Sequence, residues 1–96
     1  MNLRKEAKGR PCTIRLPGCS GGGEDSMLCH YSSHRFGNGM GCKSDDFAAA
    51  FGCASCHDIA DGRVKAPGWM AKAEVRLAHA EAVIETGLIL RKEGKA

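Results

Sequence analysis

The stretch Cys53-Ala54-Ser55-Cys56-His57-Asp58, with Asp61 one helical turn beyond His57, decides how the rest of the chain is interpreted. Two thiols at this spacing hold a metal or a haem from one short turn. The histidine beside them then points elsewhere and is available for chemistry. Three interpretations follow: a haem attachment site, a structural zinc site, or a zinc site with a catalytic histidine beside it.

The size of the chain favours a bound metal or disulfides as a source of stability. It has 96 residues, six cysteines and thirteen glycines. A domain of this size buries only about 60–65% of the surface that the unfolded chain exposes, so its apolar core is marginal. Such domains usually depend on disulfides or on a metal for stability. We expect a single domain over residues 1–96.

The N-terminal segment indicates the compartment. Residues 1–8 are charged and are not followed by the apolar stretch of a signal peptide. No apolar run approaches the length of a membrane span. We therefore expect a cytoplasmic protein without membrane contact, in which clustered cysteines are metal ligands more often than disulfides. Haem attachment generally takes place outside the cytoplasm and would leave Cys12 and Cys19 unexplained, so the haem interpretation is disfavoured.

A second pair of cysteines completes a metal site. Cys12 and Cys19 flank a predicted strand and a Pro-Gly turn, and they can converge with the first pair on one tetrahedral Zn²⁺. Cys29 and Cys42 have no partner at a ligand spacing, although either could replace Cys19. We predict structural zinc held by four thiolates, those of Cys12, Cys19, Cys53 and Cys56.

The patterns along the chain predict short elements. Residues 1–10 read as a polar lead-in, and residues 12–16 and 26–31 as strands. Asp46 is a plausible N-cap for a helical turn over residues 47–51. Residues 56–63 and 69–90 are predicted to be helices. In the second of these, Leu77, Ile84 and Leu88 recur at helical spacing, so we expect this helix to be scaffold.

Positive charge is concentrated near the N-terminus. The net charge is +3, which permits contact with nucleic acid without requiring it. A basic segment is the usual electrostatic footprint for phosphates, while a solvated tail is about equally compatible with the same residues. The residues concerned are Arg4, Lys5, Lys8, Arg10 and Arg15.

Two histidines suggest a hydrolytic site. Strand, turn and strand followed by a helix is the layout of a ββα-metal site, where a base deprotonates water and a divalent cation takes up charge on the phosphate. His30 ends the second strand and is predicted to be the base. His57 and Asp61 share one helix face and could both approach a cation. From the residues alone, His30 could instead be half-buried or a zinc ligand, and His57 could simply pack beside the thiols.

These motifs carry a resemblance to a known family. The chain resembles zinc-supported HNH endonucleases, whose last motif histidine often directly follows the second cysteine. Over nearly its full length it is more closely similar to the small prophage-encoded nucleases of the YbcO type. The matching stretches are Leu3-Arg4-Lys5, Gly9-Arg10, Cys12 with Arg15-x-Pro17-Gly18, Leu28-x-His30, the glycine loop to Asp46, and Cys53-x-Ser55-Cys56-His57-Asp58 with Asp61-x-Arg63.

The resemblance implies a small α+β fold of HNH type, with a zinc and ββα-metal core over residues 12–63 and a C-terminal helix over residues 69–90. It implies an endonuclease that cleaves DNA, or RNA, with Mg²⁺ or another divalent cation. His30 would activate water, His57 would bind the cation, and Asp61 or Asp46 would assist. An enzyme with one small site that cuts both strands often acts as a dimer, so a homodimer belongs among the expected partners.

The chain also departs from the family pattern. Cys29 stands where an acidic residue usually precedes the base histidine, and the middle asparagine has no clean equivalent, since Asp46 and the more distant Asn38 are both displaced. The alternative function is therefore a non-catalytic zinc-binding module that binds nucleic acid or a protein partner. His34 and His79 are predicted to have no role in the site.

Overall fold

The computed structural model describes residues 3–31 and 48–95. In chain order its elements are α1 (Leu3–Ala7), β1 (Met27–His30), β2 (Ala49–Gly52), α2 (Ala54–Ala60) and α3 (Lys72–Lys92). The two strands pair antiparallel, with Met27 opposite Gly52 and His30 opposite Ala49. This is a small α+β arrangement with a two-stranded sheet and a C-terminal helix, as predicted in outline.

Helix α3 packs against β2 and carries a polar link through the core. The Thr86 hydroxyl accepts a hydrogen bond from the Phe51 amide at 3.1 Å and lies 3.1 Å from the hydroxyl of Thr13. The Thr13 hydroxyl also donates to the Phe51 carbonyl at 3.0 Å. All three residues are buried, so these bonds satisfy polar groups that would otherwise destabilise the core. The segment around Thr13, strand β2 and helix α3 are thereby held in one register.

The strand predicted for residues 12–16 is not formed. Residues 13 and 14 form a bend, and Arg15 has a left-handed φ of 55° that interrupts an extended chain. A single antiparallel bridge joins Pro11 to Gly22 instead. The alternation that suggested a strand reflects burial, since Ile14 and Leu16 both lie in the core. The segment bends because it closes a loop that brings Cys12 and Cys19 together.

The helical turn predicted for residues 47–51 is also wrong. Ala49–Gly52 is strand β2, and all four of its residues are buried. A short apolar run is compatible with either structure by periodicity, and pairing with β1 settles it here as a strand. Asp46, its predicted N-cap, lies outside the described residues, as do His34, Asn38 and Cys42.

The polar lead-in predicted for residues 1–10 contains helix α1. Leu3 and Ala7 are buried in a core cluster that also includes Leu28, Phe51 and Leu90. Spacing of four residues puts both apolar side chains on one face of the short helix. The N-terminal segment is therefore part of the packed domain.

Helix α3 exposes the apolar residues by which it was recognised. Leu77, Ile84 and Leu88 are 60%, 64% and 57% exposed. The buried face consists of Val75, His79, Ala82, Thr86 and Leu90. His79, for which no role was predicted, is a core residue whose Nε2 lies 2.8 Å from the Cys29 carbonyl. Burial lowers the pKa of this imidazole, and its Nε2 donates to the carbonyl, which can only accept.

Candidate metal centre and adjoining cleft

Four cysteine sulfurs form a compact cluster beneath the sheet. The sulfurs of Cys12, Cys19, Cys53 and Cys56 all lie within 4.8 Å of one another. The sulfurs of Cys19 and Cys53 are 3.7 Å apart, close to the separation of about 3.8 Å that Zn–S bonds of about 2.3 Å give in a tetrahedron. The predicted cysteine set is therefore brought together, and its donor atoms are suited to a metal ion.

The local chain conformation prepares these sulfurs as ligands. Cys53 is the N-cap of α2, and its sulfur accepts a hydrogen bond from the Cys56 amide at 3.4 Å. The Cys19 sulfur accepts one from the Gly21 amide at 3.2 Å. Gly22 next to it has a φ of +88°, and a Cβ there would collide with the backbone of Cys12 and Arg10. This turn therefore depends on glycine.

The thiols of the cluster differ in acidity. Burial opposes ionisation of Cys53, but hydrogen bonds from the Cys56 amide and from Ser20 outweigh it and lower the pKa of this thiol to about 6. Burial raises the pKa of Cys19 and of Cys56. Metal binding requires thiolates, so loading this cluster would release protons.

Cys29 is not a member of the cluster. It is buried in β1, next to His30, and its sulfur lies against the position of Gly52. Burial raises the pKa of its thiol to about 12. Cys29 is therefore a core residue and does not replace Cys19, as one alternative had it. Among the described residues, the four cysteines are the one group of three or more such donors close enough to hold a metal.

A cleft adjoins the metal centre and contains three of the predicted catalytic residues. It has a volume of about 670 Å³, and His30, His57 and Asp61 all line it. His30 is the last residue of β1, His57 lies on α2, and Asp61 is the C-cap of α2. The His57 Nε2 is 3.3 Å from a carboxylate oxygen of Asp61. The fourth predicted residue, Asp46, lies outside the described residues.

The cysteine and the histidine of α2 lie on different sides of the helix. Cys56 is fully buried and faces the sulfur cluster, whereas His57 is one residue further on, about 100° around the helix, and faces the cleft. The separation predicted from the motif is therefore present in the structure.

Three basic side chains line this cleft alongside its acidic ones. Arg4 and Lys8 line it from α1 and the turn that follows, and Arg63 lines it from beyond α2. The Arg63 guanidinium lies 3.8 Å from the Asp61 carboxylate and 3.7 Å from that of Asp58. Arg4 and Lys8 thus place positive charge beside the two histidines, while Arg63 is paired with acidic side chains.

Two members of the predicted phosphate-binding segment are used elsewhere. Arg10 forms an ion pair of 2.5 Å with Glu93 and holds the pKa of that carboxyl at about 2. Arg15 pairs with Glu85 at 2.7 Å. Arg15 is thus joined to α3 and Arg10 to its C-cap, and neither guanidinium lines the cleft.

The sequence did not point to two acidic residues of this cleft. Glu24 and Asp25 line it together with Ser26. Asp25 accepts hydrogen bonds at 3.2 Å from the Ala54 amide at the start of α2 and from the Ser20 hydroxyl. They lie in a stretch rich in glycine and serine with no local pattern, and only the fold shows that it meets α2.

The site and fold together define a class: a small α+β domain in which four cysteines that could hold a metal lie near a cleft lined by two histidines and by basic and acidic side chains. The family model described as "Putative nuclease YbcO" matches residues 1–95. The chain therefore belongs to the YbcO family.

Individual relatives agree with this assignment. The chain is 43% identical over 63 residues to "Putative nuclease YbcO" of Escherichia coli (strain K12) and, with the same figures, to "Putative nuclease ybcO" of Enterobacteria phage 82. The match covers 65% of this chain, which spans 65% of the length of the curated relatives. A solved structure, "Structure of a putative bacteriophage protein from Escherichia coli str. K-12 substr. MG1655", is 32% identical, with a TM-score of 0.77 over 97% of this chain and 100% of that chain.

The helices offer no candidate for a membrane span. Within residues 3–31 and 48–95, none is both long enough and apolar enough to cross a bilayer.

Proposed function

We propose that this protein is a metal-dependent endonuclease of HNH type that hydrolyses phosphodiester bonds of DNA, with RNA as the second candidate substrate. The observation that carries the proposal is that His30, His57 and Asp61 line one cleft to which basic side chains also contribute. The order of β1, β2 and α2 supports a ββα-metal arrangement. The description of the family as a nuclease agrees with this chemistry.

The four-cysteine centre is proposed to hold structural zinc. Zn²⁺ favours four thiolates in a tetrahedron, and the spacing and burial of these sulfurs suit that geometry. Structural zinc contributes about 10–16 kcal/mol of apparent binding energy to folding. The centre would therefore stabilise the short strands and hold the start of α2, on which His57 lies.

The cleft is proposed to perform the hydrolysis. His30 takes a proton from the attacking water at an imidazole nitrogen. The imidazole of His57 and the carboxylate of Asp61 are close enough to hold one divalent cation between them. Mg²⁺ or another divalent cation bound there would supply positive charge to the scissile phosphate and the leaving oxygen. Asp46 is our second candidate for the assisting carboxylate.

The basic side chains of the cleft are proposed to hold the nucleic acid backbone. Arg4, Lys8 and Arg63 face the cleft, where contacts to phosphates position a substrate without recognising its sequence. Such contacts make affinity strongly dependent on salt. DNA backbone phosphates are the ligand that we propose for these three side chains.

Two aspartates provide a matched test. Asp58 and Asp61 are close to the same guanidinium of Arg63, but only Asp61 lines the cleft and contacts His57. We expect Asp61→Asn to lower the rate of plasmid nicking by about 10²-fold or more because it removes a ligand of the cation. Asp58→Asn should retain most of the wild-type rate. Nicking of supercoiled plasmid in Mg²⁺ and in Mn²⁺ measures both.

Equal loss in the two variants would show that the Arg63 ion pairs matter rather than the cation. If both variants retain the wild-type nicking rate, Asp61 is not a ligand of the cation. Wild-type protein that binds DNA without nicking it in either metal would favour the non-catalytic zinc module.

A further inference from the structure

The outer face of α3 is apolar although it does not contribute to the core. Leu77, Ile84 and Leu88 are each more than half exposed, on the side opposite Val75 and Ala82. Three such residues on one side of a helix are unusual for a surface that faces only water, and they mark interaction sites when they are contiguous. Among the described residues, no side chain covers this face.

The spacing along this face is that of a coiled-coil seam. Its positions alternate by three and four residues, which is the repeat that keeps a seam facing a partner helix. The seam contains Glu74, Leu77, Glu81, Ile84, Leu88 and Arg91.

The same seam is complementary to itself when it is reversed. With a two-fold axis between residues 82 and 83, Leu77 meets the partner's Leu88, and Glu81 meets the partner's Ile84. The outermost pair places Glu74 against the partner's Arg91. Because of the two-fold symmetry, each of these residue pairs occurs twice in the dimer. Isologous contacts of this kind are the rule in two-fold dimers.

Charge favours this antiparallel register. Glu74 and Arg91 are exposed, and among the described residues no acidic side chain forms an ion pair with Arg91. A parallel alignment of the two helices would place Glu74 next to Glu74 and Arg91 next to Arg91. Like charges at a seam are unfavourable and select against that alignment.

We propose that the outer face of α3 is the docking site for a second copy of this chain, which binds antiparallel through residues 74–91 of the helix. Small residues flank the seam at Ala80 and Gly87, so the two helices can approach closely. This inference does not depend on the proposed nuclease activity. Three apolar side chains and one ion pair from each copy lie at the low end of stable interfaces, so we expect a dissociation constant of about 1–100 μM.

The test is sedimentation equilibrium of the metal-loaded full chain from about 1 to 500 μM. Wild type should change from monomer to dimer over this range. Leu77→Glu should weaken dimerisation at least about tenfold. Circular dichroism and zinc content should be unchanged, since residue 77 is exposed. Glu81→Leu should strengthen dimerisation, because it replaces the carboxylate that each copy places against the partner's Ile84 with an apolar side chain.

A charge exchange tests the register. Glu74→Arg and Arg91→Glu should each weaken the dimer, and the double variant should recover it, because each layer then regains an opposite pair. A monomer at every concentration would overturn the proposal, and so would a dimer that Leu77→Glu leaves unchanged. A dimer that the single exchanges weaken but the double exchange does not restore would overturn the antiparallel register.

Discussion

Replacing Cys56 by serine is expected to unfold the domain at room temperature. Cys56 is fully buried and belongs to the four-sulfur cluster, so the variant cannot hold zinc in the same way. The lost binding energy, about 10–16 kcal/mol for a structural zinc site, is as large as the whole stability of about 5–15 kcal/mol expected of a small domain. Circular dichroism and metal analysis of the purified variant measure the effect.

Cys29 supplies the matched control for this substitution. Its side chain is also buried, but its sulfur lies outside the cluster. Cys29→Ala should cost about 1–2 kcal/mol for a small cavity and leave about one zinc per chain. A Cys56→Ser protein that folds and melts like Cys29→Ala would contradict the claim that a metal holds this fold.

Removing the imidazole of His30 is expected to abolish most of the cleavage. His30→Ala should lower the nicking rate by about 10²–10⁴-fold, the contribution typical of a positioned general base. His30 is the last residue of β1 and is only partly buried, so the fold and the zinc content should persist. The plasmid-nicking rate at saturating Mg²⁺, with zinc measured on the same sample, tests this.

Chemical rescue makes the His30 test specific. Added imidazole should restore part of the nicking rate of His30→Ala, because it supplies the missing proton acceptor. Lys8→Ala changes the same cleft but removes only a phosphate contact, so it should weaken DNA binding and show no rescue. If wild type and His30→Ala nick at the same rate with several divalent ions, His30 is not the base.

The metal centre was predictable because the information is local. Cys53 and Cys56 lie within one turn at the start of a helix, and that spacing fixes where both sulfurs point. His57 follows directly, so its separation from the sulfurs follows from helix geometry. Cys12 and Cys19 were found because an isolated pair of thiols cannot complete a tetrahedron, and the fold confirms that the four sulfurs meet.

Strand β2 and the buried face of α3 were not predictable because tertiary contacts decide them. The run from Ala49 to Gly52 has no period that separates strand from helix, and its pairing with β1 is a contact between distant residues. In α3, His79 and Thr86 are buried and form hydrogen bonds with Cys29 and Thr13. A hydrophobic pattern in the sequence does not assign such polar residues to a core. When a helix has apolar residues on two faces, the sequence alone does not show which face is buried.

The sequence also did not show which basic residues line the cleft and which form ion pairs within the fold. Arg4 and Lys8 face the cleft, whereas Arg10 and Arg15 pair with Glu93 and Glu85 at the far end of the chain. Those partners are some seventy or more residues away, so composition groups the four together. Only the fold separates the cations that face the cleft from those that hold loops to α3.

Anomalous diffraction from crystals soaked in Mn²⁺, recorded at the zinc and manganese edges, tests most directly whether this chain has two metal sites with separate roles. We predict a zinc peak among the sulfurs of Cys12, Cys19, Cys53 and Cys56, with Zn–S bonds of about 2.3 Å. We also predict a manganese peak in the cleft, in contact with His57 and Asp61. No metal among the four sulfurs, or manganese bound only away from the cleft, would contradict these predictions.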